Sequence, residues 1–328
     1  MKPALSLALL AAAMLLALLL GVRMGAVPLD VREVAAGIRG IGDPTTVAIV
    51  RRLRLPRAVL AALVGGALAA SGVTFQALLR NPLAEPYILG VSGGAAVGAV
   101  AAIVFTGAPA SGPVVAISAF GGAILAILLV FRVAASVGKA LDTRILLLAG
   151  VVVGAFFNAC ILLALTFAST EDFRSALFWM MGSFSGATWR GIGTLAAAMV
   201  PAMLLLFALA RSLDLLAVGE ETAAFLGVRT ERTKLLAYAT ASLLAAAAVA
   251  VSGVIGFVGL VVPHVVRMLW GGDHRFLFPA SVLMGATFAV LADTLARTAA
   301  APTELPIGVV TAFVGVPFFV YLLRRSAA

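Results

Sequence analysis

Groups able to do chemistry are scarce in this chain, and those present suit charge recognition rather than bond making. The two histidines, His264 and His274, stand ten residues apart without a carboxylate-rich neighbourhood, a poor spacing for metal ligands. Both read as structural hydrogen-bonding groups, with Arg267 and Asp273 in the same polar cap. The single cysteine, Cys160, lies in an apolar run, so neither an intrachain disulfide nor a thiol cluster is available. A phosphate loop of the form G-x-x-x-x-G-K-[ST] needs a lysine after glycine and then a hydroxyl residue. Of the three lysines, Lys2, Lys139 and Lys234, only Lys139 follows a glycine, and Ala140 comes next. The sequence therefore carries no nucleotide-hydrolysing loop of that kind. It also lacks H-E-x-x-H and paired intramembrane aspartates, which disfavours an intramembrane protease.

The polar residues gather in a few places. Arg51, Arg52, Arg54 and Arg57 arrive within seven residues, and Arg297 follows Asp293 by one helical turn in A-D-T-L-A-R. Such arginines can bind an acidic partner, anchor helix ends to lipid headgroups, or form an ion pair within one helix. A second concentration, Arg211 to Arg232, mixes charge with an apolar set of Leu215, Leu216, Ala223, Ala224, Phe225 and Leu226. Two short helices fit there, 214–218 and 220–226, broken at Gly219 and ended at Gly227. An apolar side on a loop in water wants a partner, or lies on lipid. The third, R-N-P-L-A-E-P from Arg80 to Pro86, is an elbow forced by two prolines, where Glu85 and Arg80 can pair or cap locally. It is placed on the cytoplasmic face, as a plain turn or as a contact for a partner.

The elements that position these groups are membrane helices. Hydrophobic residues make up 63% of the 328 and charged ones 11%, with a net charge of +9 and a mean hydropathy of +1.16, values a soluble domain does not sustain. About 20 apolar residues span a bilayer as a helix. Ten such runs are found near 4–27, 57–79, 87–106, 112–134, 144–168, 188–210, 233–252, 253–270, 276–299 and 305–323. Only Ser252 and Gly253 separate the seventh from the eighth, so a nine-helix count is the alternative. The first run is too long for a signal-peptide core and is expected to be retained as a helix.

With the N-terminus inside and ten spans, thirteen of the 23 lysines and arginines fall inside and ten outside, weak support for that orientation. A-A-S-G-V at 69–73 and A-V-S-G-V at 250–254 form a weak echo between two five-helix halves. Five is odd, so such halves would run in opposite senses through the bilayer. Glycines recur in the second, third and eighth spans, where packing of neighbouring helices is the expected use and bending the alternative. Proton-driven carriers need ionisable groups in mid-membrane. Here the deep polar groups are limited to Gln76, Asn158 and hydroxyls. Either amide could line a path for a bulky ligand or join helices by hydrogen bonds.

The residues R-L-P-R at 54–57, the elbow R-N-P-L-A-E-P, G-F-V-G-L-V-V-P-H-V-V-R followed by G-G-D-H-R, and E-L-P-I-G-V-V-T-A-F-V-G-V-P-F-F occur in an order that resembles the FecCD family of importer permeases. These carry ferric siderophores, haem or vitamin B12 across inner membranes. The likeness runs from R-L-P-R to the last span, and the first span with the loop to Asp43 departs from it. It implies an all-α polytopic membrane protein of about ten helices in two inverted halves, about 1–170 and 171–328, forming one permease domain over 1–328. Arg54, Arg57 and Arg297 would dock the periplasmic or lipid-anchored substrate-binding protein. Leu215, Glu220, Glu221, Ala224, Leu226 and Gly227, within coupling helices at about 212–228, would meet an ATPase subunit. The chain would bind no cofactor itself, leaving ATP and Mg to the partner ATPase. Two permease copies, a homodimer first and a heterodimer second, would work with two ATPase subunits in the inner membrane, both termini cytoplasmic. No nucleic acid is expected as a partner. A secondary active transporter without an ATPase is the alternative.

Overall fold

The computed structural model describes residues 3–25, 27–137 and 141–326, so Lys2 and Lys139 lie outside the described residues. Among these the chain is helix and turn without strand. Helix α1 (Pro3–Arg23) is followed by two short helices, α2 (Val31–Arg39) and α3 (Pro44–Ala48). A π-helical turn, Ile49–Arg54, then runs directly into α4 (Leu55–Leu78). Next come α5 (Val91–Thr106), α6 (Pro113–Val137), α7 (Thr143–Thr166), the short α8 (Thr170–Met180) and α9 (Trp189–Ala208). The chain then forms α10 (Ala210–Val218), α11 (Glu220–Phe225), α12 (Thr230–Ser252), α13 (Val258–Trp270), α14 (His274–Thr298) and α15 (Ile307–Ser326).

Ten of these are apolar helices at the expected positions. Seven are long enough to cross a membrane, and α5, α13 and Ile307–Val320 of α15 are shorter. At 1.5 Å per residue, the 16 residues of α5 and the 13 of α13 reach only about 24 and 20 Å of a core about 30 Å thick. The sequence expectation had begun these two spans at 87 and 253. Both instead begin after an irregular elbow. A 3-10 turn, Pro86–Leu89, leads to Gly90 at φ 73°, and the second elbow turns at Gly253 and Phe257, φ 70° and 69°.

The middle of the molecule is α4, the most enclosed of the long spans, with α12 next. Close approach to its neighbours depends on glycine. A Cβ on Gly72 would overlap the Gly259 carbonyl of α13, and one on Gly65 would overlap the Gly285 carbonyl of α14. Packing is therefore the role of these glycines, as lipid offers no hydrophobic drive for helix association. The same device joins α5 to α6, where Gly94 and Gly98 lie against the Gly122 and Ser118 carbonyls. In the eighth span Gly253, Gly256 and Gly259 recur every three residues, a spacing that would place them on one helix side, but the first two lie in the elbow and only Gly259 is helical.

Candidate functional site

The arginine cluster is positioned by the π turn that leads into α4. Arg54 turns inward there, 9% exposed, and donates to the carbonyls of Val22 (3.2 Å), Arg23 (2.9 Å) and Val27 (2.5 Å). Arg297, 8% exposed on α14, donates to the carbonyls of Gly21 (2.6 Å) and Met24 (3.0 Å). The last turn of any helix leaves carbonyls without intrahelical partners and carries the negative end of its dipole. Two guanidiniums from other helices thus close the end of α1.

Arg57 completes the corner. Its Nε and Nη2 meet the buried Asp293 carboxylate at 3.0 and 2.9 Å, and its Nη1 meets Glu304 at 2.9 Å. Asp293 also ion-pairs with Arg297 at 3.1 Å. The structure therefore brings all three expected docking arginines together. The intrahelical pair foreseen for Asp293 and Arg297 exists, but as part of a larger cluster with Arg57. Arg54 and Arg297 are engaged internally by backbone carbonyls, and Arg57, 12% exposed beside the half-exposed Glu304, is the member nearest solvent. Arg51 and Arg52 are exposed on the adjoining turn, with Arg51 holding the Ile38 carbonyl at 2.8 Å.

The elbow from Arg80 to Pro86 does not form the local pair expected of it. Glu85 turns away from Arg80 and accepts the Phe257 amide at 2.7 Å, at the entry to α13. Tyr87 donates its hydroxyl to the Ile255 carbonyl at 3.0 Å and accepts the Ile255 amide at 3.2 Å. Residues 84 to 90 are thus drawn inward against the second elbow, and only Arg80, Asn81 and Pro82 remain exposed, so the segment is not a plain surface turn. Irregular backbone drawn inside a protein needs partners for its polar groups, and these contacts supply them. The Ser183 amide to the Ser252 carbonyl, 2.8 Å, and the Gly308 amide to the Met181 carbonyl, 3.0 Å, complete this junction.

Beside the junction lie two adjoining depressions that share Met180 and Val254. One, of about 220 Å³, is bordered by Ser92, Gly93, Gly154 and Asn158. The other, of about 570 Å³, is bordered by Gly256, Phe257, Val309 and Phe313. Asn158 is exposed on α7 and faces the first. Gln76 does not line either. It is 3% exposed, donates to the Leu260 carbonyl at 3.1 Å and accepts from Arg267 at 2.9 Å, which makes it a tie between α4 and α13. Arg267 therefore joins this tie. Asp273 caps α14 instead, and His274 is the first residue of that helix.

The loop between α9 and α12 forms two helices close to those expected, α10 starting four residues earlier and α11 ending one earlier. Its apolar set divides. Leu216 and Ala223 are buried, Leu215 is half-buried, and Ala224, Phe225, Leu226 and Gly227 are exposed with Glu221. Phe225 is 96% exposed. The loop is fixed from beneath by an ion pair, Glu220 to Lys234 on α12 at 3.0 Å, and by a carboxylate–imidazole contact, Asp214 to His274 Nδ1 on α14 at 2.5 Å. Asp214 also accepts the His274 amide at 3.0 Å. Burial pushes the Asp214 carboxyl up, but the hydrogen bonds from the His274 ring and amide outweigh it and hold the group below its ordinary value. Structural hydrogen bonding, the role expected of His274, thus acquires a named partner.

Residues 13–325 match the model of the FecCD transport family. The chain is 46% identical over 284 residues to the cobalamin import system permease protein BtuC of Halobacterium salinarum, covering 86% of this chain and 75% of that one. To the vitamin B12 import system permease protein BtuC of Salmonella paratyphi A it is 41% identical over 278 residues, 85% of this chain and 84% of that one. A solved structure described as an inward-facing conformation of a putative metal-chelate type ABC transporter superposes with a TM-score of 0.87 at 32% identity, covering 97% and 98% of the two chains. A match over nearly the whole length, together with these identities and the shared fold, places the chain in the FecCD transport family, as a multi-pass membrane permease of the ABC importer type.

Proposed function

We propose that this chain forms the translocation path of a binding-protein-dependent importer for a bulky metal chelate, with cobalamin as the substrate. The observation that carries the energy source is the coupling loop. A phenylalanine 96% exposed at the tip of a loop held rigid from below presents an apolar surface to a separate subunit. The sequence has no phosphate loop of its own, so that subunit is the ATPase and binds ATP and Mg, while the permease binds no cofactor. Leu215, Glu220, Glu221, Ala224, Leu226 and Gly227 belong to this contact, with Phe225 at its tip. Cobalamin is favoured because two relatives above 40% identity are named as cobalamin or vitamin B12 permeases.

The substrate-loaded binding protein docks at the corner built by Arg54, Arg57 and Arg297. Arg57 is the member nearest solvent, and the other two frame it. Two copies of the permease enclose the path, each presenting Asn158 and the apolar depressions beside Met180, with one ATPase subunit under each copy. The domain is a single unit of two inverted halves, about 1–170 and 171–328. In support of this, α4 and α12 are each the second span of a half and the most enclosed, and each is followed by an elbow and a short helix. Both termini lie on the ATPase side of the inner membrane.

The test is uptake of cyanocobalamin into liposomes holding permease and ATPase, with the binding protein outside. ATP inside the vesicles is expected to be required. Uptake driven by an ion gradient without ATP would contradict the proposal.

A further inference from the structure

The loop carrying α10 and α11 lies between α9 and α12, yet its strongest side-chain attachments are not to α9. The ammonium of Lys234 is 3% exposed and meets Glu220 of α11 at 3.0 Å. A buried ion pair is seldom a net source of stability, because desolvation offsets the attraction, but removing one partner strands the other charge. Such a pair fixes position more than it adds stability. The second attachment reaches further. Asp214 of α10 takes both the amide and the Nδ1 of His274, 60 residues later, at the first turn of α14. That turn already has its own cap, since Asp273 accepts the Arg275 amide at 2.9 Å. Asp214 is thus an additional bond made from the loop.

Each of the two loop helices is therefore joined by one carboxylate to one span, α10 to α14 and α11 to α12. Both spans pack on α4. From His274 to Asp293 is 19 residues, so α14 carries a displacement over about 28 Å to the corner where Asp293 holds Arg57 and Arg297. The glycine contact of Gly65 with Gly285 keeps α4 and α14 from sliding freely along the way.

We infer that the Asp214–His274 and Glu220–Lys234 pairs are the joints through which movement of the coupling loop reaches α14 and α12, making Asp214 and Lys234 positioning residues for energy coupling. The inference rests on the importer proposal and adds to it which side chains deliver the motion and to which spans. A loop that moved only the helix preceding it would need neither pair. With both, ATPase movement acts on the two spans that flank the buried centre.

The test uses the complete complex of permease, ATPase and binding protein in liposomes, with cyanocobalamin outside as the probe. ATP turnover and uptake are read on the same vesicles. Lys234→Met keeps the side-chain volume and removes the buried charge, and Asp214→Ala removes the second joint. In each variant, ATP turnover with loaded binding protein is expected to stay near wild type. Uptake per ATP is expected to fall about tenfold, within the range of a coupling free energy. Exchange of the charges, Glu220→Lys with Lys234→Glu, is expected to restore part of the lost ratio. A purely structural role would lower both rates together with the amount of intact complex and leave uptake per ATP unchanged, which would overturn the inference. Should Asp214→Ala fail to assemble, Lys234→Met decides alone. A wild-type complex without ATP-dependent uptake contradicts the importer proposal, whereas a working wild type with unaltered variants contradicts only the joints.

Discussion

The hydroxyl of Tyr87 donates to the carbonyl of Ile255 and accepts from the amide of the same residue, at 3.0 and 3.2 Å, so the elbow after α4 and the elbow after α12 are tied to one another. With Glu85 on the Phe257 amide, three hydrogen bonds join two breaks 168 to 172 residues apart in sequence. The helices that leave these breaks, α5 and α13, are short because their chains start inside the protein.

Tyr87→Phe removes both hydroxyl bonds and leaves the Ile255 amide and carbonyl without that partner. A buried polar group left unsatisfied costs roughly 1–3 kcal/mol. Thermal unfolding in detergent is expected to show a lower midpoint for Tyr87→Phe than for Phe105→Leu, a change at an exposed aromatic on α5. Equal midpoints would mean that the elbows do not depend on this contact.

At the arginine corner, Arg57→Ala withdraws the main partner of the buried Asp293, while Glu304→Ala withdraws a half-exposed one. Breaking a buried pair costs about 3–5 kcal/mol, and an exposed pair contributes about 0–1 kcal/mol. Arg297 still holds Asp293, which puts the first value toward its lower end. Denaturant titration is expected to rank Arg57→Ala as much more damaging than Glu304→Ala, and the reverse order would contradict the geometry.

Gly72→Val places a side chain where the Gly259 carbonyl already sits. Overpacking of this kind costs about 1–3 kcal/mol or forces the helices apart. Yield of folded permease and its melting temperature are expected to drop sharply, whereas Gly121→Ala, on an open face of α6, is expected to change neither.

Phe225→Glu changes a side chain with almost no contact in the permease itself. The isolated subunit is expected to keep its melting temperature, and co-purification with the ATPase is expected to fall. Retention of the ATPase at wild-type level would remove Phe225 from the contact.

Because the Asp214 carboxyl lies below its ordinary value in the folded protein, the stability it adds is fully present above the unfolded value. It is lost only as pH falls through the lower folded value, beneath the ordinary Asp range of about pH 4. The stability difference between wild type and Asp214→Asn is therefore expected to shrink as pH falls below about 4. A difference that stays unchanged from about pH 5 down to about pH 2 would contradict this assignment.

Hydropathy revealed the ten apolar helices, because burial in lipid demands long apolar runs whatever the packing. It missed where α5 and α13 begin, since Tyr87–Gly90 and Gly253–Phe257 are as apolar as the helices they precede. The loop helices α10 and α11 were legible through Gly219 and Gly227, local signals of a break and an end. The capping box of α2, Asp30 with Glu33, was equally local and marks a helix that hydropathy passes over, as does the Ser169 cap of α8. Arg54, Arg57 and Arg297 could be singled out by charge against an apolar background. Of their partners only Asp293 beside Arg297, one turn away, was legible, because Val22, Asp293 and Gly21 are brought to Arg54, Arg57 and Arg297 by tertiary folding from 32 to 276 residues away. Gln76 was drawn toward the path by its polarity, and only its contacts with Leu260 and Arg267 show it to be a tie.

The most direct measurement of the central claim is native mass spectrometry of the complex purified gently from its own host. The account expects two copies of this chain with two ATPase subunits, and a binding protein carrying a corrinoid mass. Isolation of the chain without any nucleotide-binding partner, across several mild detergents, would contradict it.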